Sequence, residues 1–358
     1  MKFSFTEEQE EFRSMLRRFL EAKSPASEVR KLMATDAGYD PAVWRAMSQD
    51  LALTALHIPE EYGGAGFGVV ELQMAAEELG RALACAPYFA STVMASTAIL
   101  AAGSEDQKRA LLPGLAAGET IGTLAAAEPG KGWAPDEIAM SAEKSGDGYT
   151  LTGTKSYVLD GMTADLIVVA ARLPDGGIGL FHLKGDGEGV TRRALAPMDP
   201  TRKLARLNFA AAPAERLGDD VACLAGEMAS GAERLREDAL EYVSMRMQFG
   251  RAIASFQVTK HKAADMLLEV ELAKAAAYAA ASALDDGDAD ASAIASLAKA
   301  AASDAYMQTA VHAVQMHGGI GFTFDNDTQL WFKRAKSSEN FLGSAAAHRE
   351  RLLQNWSA

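Results

Sequence analysis

The sequence predicts an α+β fold in three parts: an N-terminal helical domain at residues 1–118, a small β-barrel or β-sandwich domain at 119–221, and a C-terminal four-helix bundle at 222–358. Two changes of hydrophobic period indicate this order. The pattern turns from helical to strand-like near Gly118 and becomes helical again at about Ala222. The third observation is a set of long, alanine-rich amphipathic segments, which are typical of an antiparallel bundle. These segments are Cys223–Gln248, Ser255–Leu284 and Ala289–His317.

Helix-start signals organise the N-terminal part. Thr6 with Gln9, and Ser104 with Gln107, have the spacing of a capping box, in which each side chain bonds the other residue's backbone N–H. Paired glycines and a proline predict a loop at Ile58–Gly66. Further helices are predicted at Val69–Leu83, around Ser91–Ala102 and at Lys108–Leu115.

Short apolar runs separated by glycine or proline turns predict the strands of the middle part. The turn Ser145–Gly148 is the clearest of these boundaries. The predicted strands are Thr123–Ala127, Tyr149–Leu151, Leu166–Ala171, Ile178–Leu183 and Leu204–Ala210.

The composition excludes several classes of protein. With 35 Lys and Arg against 48 Asp and Glu, the net charge is −13, and nucleic-acid binding needs a basic surface instead. No apolar run reaches the roughly 18–20 residues of a membrane-spanning helix, and the first ten residues lack a secretory pattern. We therefore expect a cytoplasmic protein with no membrane span.

Cysteine and histidine are too scattered to indicate a disulfide framework or a metal site. The two cysteines are Cys85 and Cys223, and none of the six histidines forms an HExxH or His-x-His pattern. The chain also lacks a G-x-S-x-G elbow and a P-loop lysine, which disfavours hydrolase and nucleotide triphosphatase functions.

Four segments carry residues suited to ligand binding. Three contain glycines that leave the backbone accessible: Ala126–Trp133, Tyr149–Gly161 and Gln315–Phe322. The fourth, Arg246–Ile253, places two arginines around a glycine and indicates a local anion site, because guanidinium groups bind phosphate in a bidentate manner. Each segment also has a purely structural interpretation as a turn, a helix C-cap or a solvated helix end.

In this order, these segments resemble the acyl-CoA dehydrogenase family over essentially the whole chain. The resemblance covers N-terminal signatures, a β-domain segment, flavin-binding portions of the C-terminal bundle and the stretch that ends near the flavin. The matching segments are Ile58–Gly64, Gly103–Lys108, Tyr149–Gly161, Arg246–Gly250, Gln257, Gln315–Gly321, Lys333–Lys336 and Phe341–Ser344.

The resemblance implies non-covalently bound FAD at a subunit interface of a dimer or tetramer, built from one or two kinds of chain. Arg246, Gln248 and Phe249 would reach the FAD of a neighbouring subunit, and Gln257 belongs to the same flavin-binding portion. Residues that would line the adenosine and pyrophosphate part are Gln315, Gly318 and Gly319. Residues that would pack along the isoalloxazine ring are Ala126–Glu128, Gly132–Trp133 and Tyr157–Leu159.

The reaction implied by the resemblance is α,β-dehydrogenation of an acyl-CoA thioester, in fatty-acid or steroid and aromatic side-chain catabolism. A carboxylate removes the α-proton while the β-hydrogen leaves as hydride to flavin N5, and an electron-transfer flavoprotein-type acceptor reoxidises the flavin. Burial beside the flavin would raise the pKa of the base toward working pH.

The catalytic base is where this sequence departs from the family. The usual glutamate position before the terminal Gly-Thr pair is Leu342, which cannot accept a proton. Some members place the base at the start of the first C-terminal helix, where an ungapped count reaches Asp220, next to Asp219. Glu227 and Glu339 are weaker candidates. Asp219 and Asp220 also fit a helix N-cap, with no catalytic role.

Two other departures affect expected flavin contacts. The family's Thr-Glu-Pro segment reads Ala127-Glu128-Pro129 here, and Leu159 replaces a hydroxyl residue expected near flavin N5. Three hypotheses remain open: an active dehydrogenase that uses Asp220 or a nearby carboxylate, a base-less partner subunit of a hetero-oligomeric dehydrogenase, and a structural protein or another flavin chemistry on the same fold.

Overall fold

The computed structural model describes residues 5–146, 148–217 and 228–356. The chain folds into two compact units, each built from segments that are distant in sequence. We call them the bundle unit and the barrel unit. The bundle unit comprises Met1–Val29, Val69–Ala84 and Ala225–Ala358, and the barrel unit comprises Arg30–Gly68 and Cys85–Leu224.

The helical, β and helical order predicted from the sequence is confirmed. The helices before the sheet are α1 (Glu7–Lys23), α2 (Ala26–Leu32), α3 (Pro41–Arg45), α4 (Val69–Arg81), α5 (Thr97–Ala102) and α6 (Glu105–Ala116). Those after it are α7 (Met228–Met245), α8 (Gln257–Asp285), α9 (Ala291–His317), α10 (Thr328–Asn340) and α11 (Ala345–Trp356). Two π-helical segments, Ala46–Asp50 and Phe89–Ser96, extend α3 and precede α5.

Both predicted capping boxes are present. The Thr6 hydroxyl accepts the Gln9 backbone N–H at 3.2 Å, and the Gln9 amide oxygen accepts the Thr6 N–H at 3.0 Å. Ser104 and Gln107 make the same reciprocal pair at 3.3 and 3.0 Å. Helices α1 and α6 therefore begin where local side-chain chemistry satisfies otherwise unpaired N–H groups.

The β region of the barrel unit closes on itself. Strand pairing runs from β4 to β5, β7, β3, β2 and back to β4, while β1 and β6 pair with β4 and β7 outside this circuit. Of the two forms predicted for the middle part, the barrel is the one found. The strands are β1 (Gly122–Ala125), β2 (Ser141–Ser145), β3 (Gly148–Leu159), β4 (Leu166–Arg172), β5 (Ile178–Lys184), β6 (Val190–Leu195) and β7 (Leu204–Arg216).

Strand β4 is buried on both faces and joins the two hydrophobic layers of the barrel unit. Ile167, Val169 and Ala171 point into the barrel core. Leu166, Val168 and Ala170 belong to the layer that includes side chains of α5 and α6. A two-sided strand reads as a continuous apolar run, which is why its sequence pattern identified it so readily.

Some elements carry little sequence signal. Strands β2 and β6 were not predicted, because β2 is largely polar and exposed, arginines occupy the centre of β6, and neither strand shows an apolar alternation. The predicted helical C-terminal part contains α7 to α11 in the described residues, and α10 and α11 were not predicted as separate helices. Helix α10 buries Gln329, Arg334 and Ser338 along with its apolar residues, so its hydrophobic period is weak. No described helix has the length and apolar character that crossing a membrane requires.

A buried ionic network connects α1, α4, α7 and α8 within the bundle unit. Arg17 donates to both carboxylate oxygens of Glu78 at 2.6 and 2.8 Å, and the Glu78 side chain is 1% exposed. Glu77 accepts from Arg13 and from the Tyr278 hydroxyl. Ion pairs Lys274–Glu233 and Arg81–Glu237 extend the network to α7. These contacts hold the N-terminal helix on the bundle.

We expect Arg17→Met to lower the free energy of unfolding by about 2 kcal/mol, because it leaves a buried carboxylate without its bidentate partner. Chemical denaturation measures the change. The matched control is Arg349→Met, which removes the exposed ion pair with Asp304 and should cost under about 0.5 kcal/mol. Equal losses in the two variants would contradict this role of the network.

Candidate functional site

A groove of about 550 Å³ lies in the bundle unit, where the ends of α7 and α9 meet the start of α8. It brings together two segments that the sequence had singled out separately, Arg246–Ile253 and Gln315–Phe322. The residues predicted to contact FAD that line it are Arg246, Gln248, Gln315, Gly318 and Gly319. The other lining residues are Tyr242, Ile253, Val258, Thr259, Lys262, Met316 and His317.

The backbone at the end of α9 is bare. Helix α9 ends at His317, and Gly318 follows with φ 66° and ψ −147°, a conformation that is essentially restricted to glycine. A Cβ added at Gly318 or Gly319 would meet no heavy atom within 4 Å. The two glycines therefore serve as a helix cap and also leave open space on the groove wall.

The charge of the groove favours an anion. Arg246 and Lys262 are among its described lining residues, and no Asp or Glu is. This local arrangement contrasts with the net charge of −13 of the whole chain. Sequence reasoning missed Lys262, because it sits in an ordinary helical stretch of α8 and only folding brings it opposite the glycines.

A stacked pair forms part of the groove wall. The rings of Tyr242 and His317 lie 4.5 Å apart between centroids with an interplanar angle of 24°. His317 is buried, and its Nδ1 lies 2.8 Å from the Ala313 carbonyl oxygen, so Nδ1 carries the proton and donates. This contact fixes the imidazole at the end of α9, next to the two glycines.

Two further candidates lie outside the groove lining. Phe249 is 90% exposed with φ 51° in the turn between the short strands β8 (Met247–Gln248) and β9 (Arg251–Ala252). Its ring contacts Phe256 edge-on at 6.1 Å. Gln257 is exposed at the start of α8. Exposure of both side chains in a single chain is what a contact with a neighbouring subunit requires.

The residues predicted to pack along the flavin ring belong to the barrel unit. Tyr157 is 47% exposed with φ 58°, Trp133 is half-buried, and Leu159 is buried with its carbonyl accepting the Thr123 hydroxyl at 2.6 Å. Glu128 is buried, and its carboxylate accepts hydrogen bonds from Lys155 and from two backbone N–H groups. Its oxygens are thus engaged inside the barrel unit.

The turn at Leu342, between α10 and α11, is held from two sides. Leu342 has φ 58°, a conformation that side-chain-bearing residues rarely adopt. The buried Lys299 ammonium donates to the Gly343 carbonyl at 3.2 Å and to the Ser303 hydroxyl at 2.8 Å. His348 Nε2 donates to the Leu342 carbonyl at 3.1 Å. The family's usual base position is therefore present as a fixed turn that carries a leucine.

Of the candidate bases, only Glu339 lies within the described residues. Asp220, with Asp219 and Glu227, lies outside the described residues. Glu339 pairs with Lys336 at 2.5 Å on the surface side of α10. In the described part of the chain, no group of three or more His, Cys, Asp or Glu side chains is placed to hold a metal ion.

Comparison with known proteins agrees with this architecture. Family models for the acyl-CoA dehydrogenase N-terminal, middle and C-terminal domains match residues 6–119, 123–210 and 211–356. The chain belongs to the acyl-CoA dehydrogenase family. It is therefore an oxidoreductase of a family that depends on FAD, and its predicted three-part fold is that of the family.

Similar proteins include curated and solved examples. Acyl-CoA dehydrogenase IpdE2 of Mycobacterium tuberculosis is 35% identical over 324 residues, covering 88% of this chain and 87% of the relative. A variant of the Tcur3481-Tcur3483 steroid ACAD has a TM-score of 0.90 at 30% identity, covering 98% of each chain. The ChsE4-ChsE5 complex from Mycobacterium tuberculosis has a TM-score of 0.89 at 27% identity, covering 100% of this chain and 99% of the other.

The groove fits part of an FAD molecule. A diphosphate needs cations and space to approach the backbone, and the groove supplies Arg246, Lys262 and the exposed Gly318–Gly319 backbone. An adenine or ribose needs apolar and polar walls, which Val258, Ile253 and Gln315 can supply. No carboxylate on the lining opposes the phosphate charge.

We expect Gly319→Val to reduce the FAD content of the purified protein severalfold, because the added side chain occupies the groove. Absorbance at the flavin band, per chain, measures this. Ala289→Val is the control, since Ala289 is exposed in the turn between α8 and α9, away from the groove. Full FAD content in Gly319→Val would remove the groove from the cofactor site.

We expect stability to fall on acidification partly through His348. Burial lowers its pKa to about 4, with Lys299 and Arg351 adding to the shift against the Leu342 carbonyl. The unfolded chain binds this proton below about pH 6.5, while the folded chain does not until about pH 4. The unfolded state therefore gains protons first, and the free energy of unfolding falls as pH decreases through that window.

Urea titrations from about pH 7 to about pH 5 should show a shallower fall for His348→Asn than for the wild type. His261→Asn, at an exposed position of α8, serves as the control and should keep the wild-type dependence. His57, whose pKa burial also lowers to about 4, contributes equally in all three proteins. Identical slopes for the wild type and His348→Asn would contradict the assignment.

Proposed function

We propose that this chain catalyses the FAD-dependent α,β-dehydrogenation of an acyl-CoA thioester, with Asp220 as the base. The observation that carries the proposal is the groove, which is lined by Arg246, Lys262 and the bare Gly318–Gly319 backbone. Membership of the acyl-CoA dehydrogenase family supplies the reaction class. When bound, FAD accepts the substrate's β-hydrogen as a hydride at N5.

The chain's own residues would bind and orient FAD. Arg246 and Lys262 attract the diphosphate, the Gly318–Gly319 peptide approaches it closely, and Gln315 contacts the adenosine part. Phe249 and Gln257 extend from the groove rim toward a neighbouring subunit. Trp133, Tyr157 and Leu159 would present a largely non-donating surface to the ring, because neither Ala127 nor Leu159 offers a side-chain hydroxyl.

The base would act by removing the α-proton of the thioester. Asp220 is one methylene shorter than glutamate, so the substrate's Cα must approach the backbone of residue 220 more closely. Desolvation at that position would raise the carboxyl pKa and bring the base nearer to working pH. Leu342 occupies the family's usual base position with an apolar side chain, so Asp220 would be the base in this proposal.

The proposed substrate is a bulky or long acyl thioester, in fatty-acid or steroid side-chain catabolism, with an electron-transfer flavoprotein as acceptor. The similarity to a steroid ACAD supports a bulky acyl group. A multi-subunit assembly is part of the proposal. Helix α8 carries exposed apolar side chains, such as Leu268 and Leu272 at 58% and 56% exposure. A subunit interface in the proposed assembly would bury them.

The second candidate is a base-less partner subunit of a hetero-oligomeric dehydrogenase. Leu342 in the fixed turn favours it, and so does similarity to the two-component ChsE4-ChsE5 complex. In that case this chain contributes Arg246 and its neighbours to a partner's FAD, and Asp220 only caps a helix.

We expect the purified protein to hold about one FAD per chain and to be bleached anaerobically by at least one member of an acyl-CoA panel that includes steroid side-chain thioesters. Asp220→Asn should retain FAD and slow bleaching by about 100-fold or more, since general-base catalysis contributes 10²–10⁴-fold. Asp219→Asn is the matched control and should bleach at nearly the wild-type rate.

The partner-subunit candidate gives a different pattern. The chain alone would hold no FAD, the co-purified pair with a base-bearing homologue would hold about one FAD per two chains, and Asp220→Asn would bleach normally in that pair. Bleaching of the chain by itself, lost in Asp220→Asn, excludes that candidate.

A further inference from the structure

Lys155 is a buried cation that the reaction does not use. Its side chain is 0% exposed on β3, where lysine is rarely found without a partner. The ammonium donates to the Ala126 carbonyl oxygen and to Glu128 Oε1, both at 2.9 Å. Burial lowers the pKa of Lys155, and the hydrogen bond and charge of Glu128 oppose that shift. Lys155 thus joins β3 to the loop that follows β1.

The Glu128 carboxylate closes this loop. Oε1 also accepts the backbone N–H groups of Ala139 and Met140 at 2.9 and 2.8 Å. Residues 129–138, which include Trp133, therefore leave and return at one carboxylate. Burial alone would raise the pKa of Glu128, but these N–H donors and Lys155 hold it below its ordinary value.

A backbone contact links the same two segments a second time. The Ser156 N–H donates to the Ala127 carbonyl at 2.9 Å. The pairing of β3 with β7 is interrupted by a bulge between Lys155 and Val158, and Tyr157 sits in that bulge with φ 58°. Strained backbone of this kind persists only where its surroundings determine it. Lys155 and Ser156 supply that constraint directly before Tyr157.

We propose that the Lys155–Glu128 ion pair positions two segments against the flavin ring. These are the loop that follows β1, including residues 126–133, and the bulge at Tyr157. In this proposal the polar atoms of both side chains are engaged within the barrel unit and neither group contacts the flavin directly. This inference rests on the proposed function, because the resemblance assigns Trp133 and Tyr157 to the ring. It gives Glu128 a different role from direct cofactor contact: its oxygens already have donors, and it acts through the backbone it holds.

The test separates positioning from stability with a neutral double variant. Lys155→Met and Glu128→Gln each remove one charge of the pair and leave the other buried charge unpaired. Each should therefore lower the melting temperature. The double variant Lys155→Met/Glu128→Gln removes the unpaired charge and should recover most of the stability, as replacement of buried ion pairs commonly does. The side-chain link between loop and strand remains broken in it, and only the backbone hydrogen bond from Ser156 to Ala127 is left. Arg192→Met is the matched control, since Arg192 binds backbone carbonyls elsewhere in the barrel unit.

Three readouts apply to each protein. In the FAD-free protein, trypsin should cut after the exposed Lys131 severalfold faster in the double variant than in the wild type or Arg192→Met. In the FAD-loaded protein, the double variant should lose the resolved shape of the flavin absorption band. Its anaerobic bleaching should be slowed about tenfold or more, because small misplacements of reacting groups have large rate effects.

The outcomes distinguish this inference from the proposed function. Recovery of stability with wild-type cleavage and wild-type flavin spectra in the double variant would make the pair purely structural and overturn the inference. If the wild type holds FAD but no acyl-CoA bleaches it, the proposed reaction fails, and the cleavage and spectral changes still decide the inference. A wild type that holds no FAD, alone or with a partner, overturns both.

Discussion

The close packing of helix α9 is the constraint on which the bundle unit depends. Helices α7, α8, α10 and α11 all contact it, and alanines occupy many of its buried positions, including Ala298, Ala302 and Ala310. Small side chains let neighbouring helices approach closely on several sides, and such packing leaves little freedom to shift. The ends and polar positions of α9 are therefore fixed in space, and both parts of the candidate site in this unit are attached to them.

Two consequences follow from the fixed position of α9. Its C-terminal end presents Gly318 and Gly319 to a groove whose cations come from the segment after α7 and from α8. Its middle carries Lys299, whose buried ammonium holds the turn at Leu342. Helix α9 thus places a buried ammonium group inside the bundle and a bare backbone at its C-terminal end.

Both units use buried charge as a connector between segments that are distant in sequence. In the bundle unit, Arg17 and Glu78 join α1 to α4. In the barrel unit, Lys155 and Glu128 join β3 to the loop after β1. Such pairs contribute little net stability compared with apolar packing, but a wrong arrangement would leave a charge unpaired. They therefore select one arrangement of the connected segments, which is what a site built from several segments needs.

Patterns that depend on neighbouring residues could be read from the sequence. The capping boxes at Thr6 and Ser104, the two-sided strand β4 and the long alanine-rich helices follow from local periodicity and side-chain chemistry. The ordered motifs identified the family. Strands β2 and β6 and helix α10 could not be read, because polar residues interrupt their apolar pattern and their pairing or packing partners lie elsewhere in the chain.

The sequence by itself thus determined the order of helical and β regions, the family, and the absence of a glutamate at position 342. Only the tertiary structure decided that Lys262 faces the glycines, that the oxygens of Glu128 are occupied by Lys155 and two N–H groups, and that a buried lysine and histidine hold the Leu342 turn. The physical reason is that hydrogen bonds, ion pairs and burial depend on distances between segments far apart in the chain, and local periodicity carries no information about those distances.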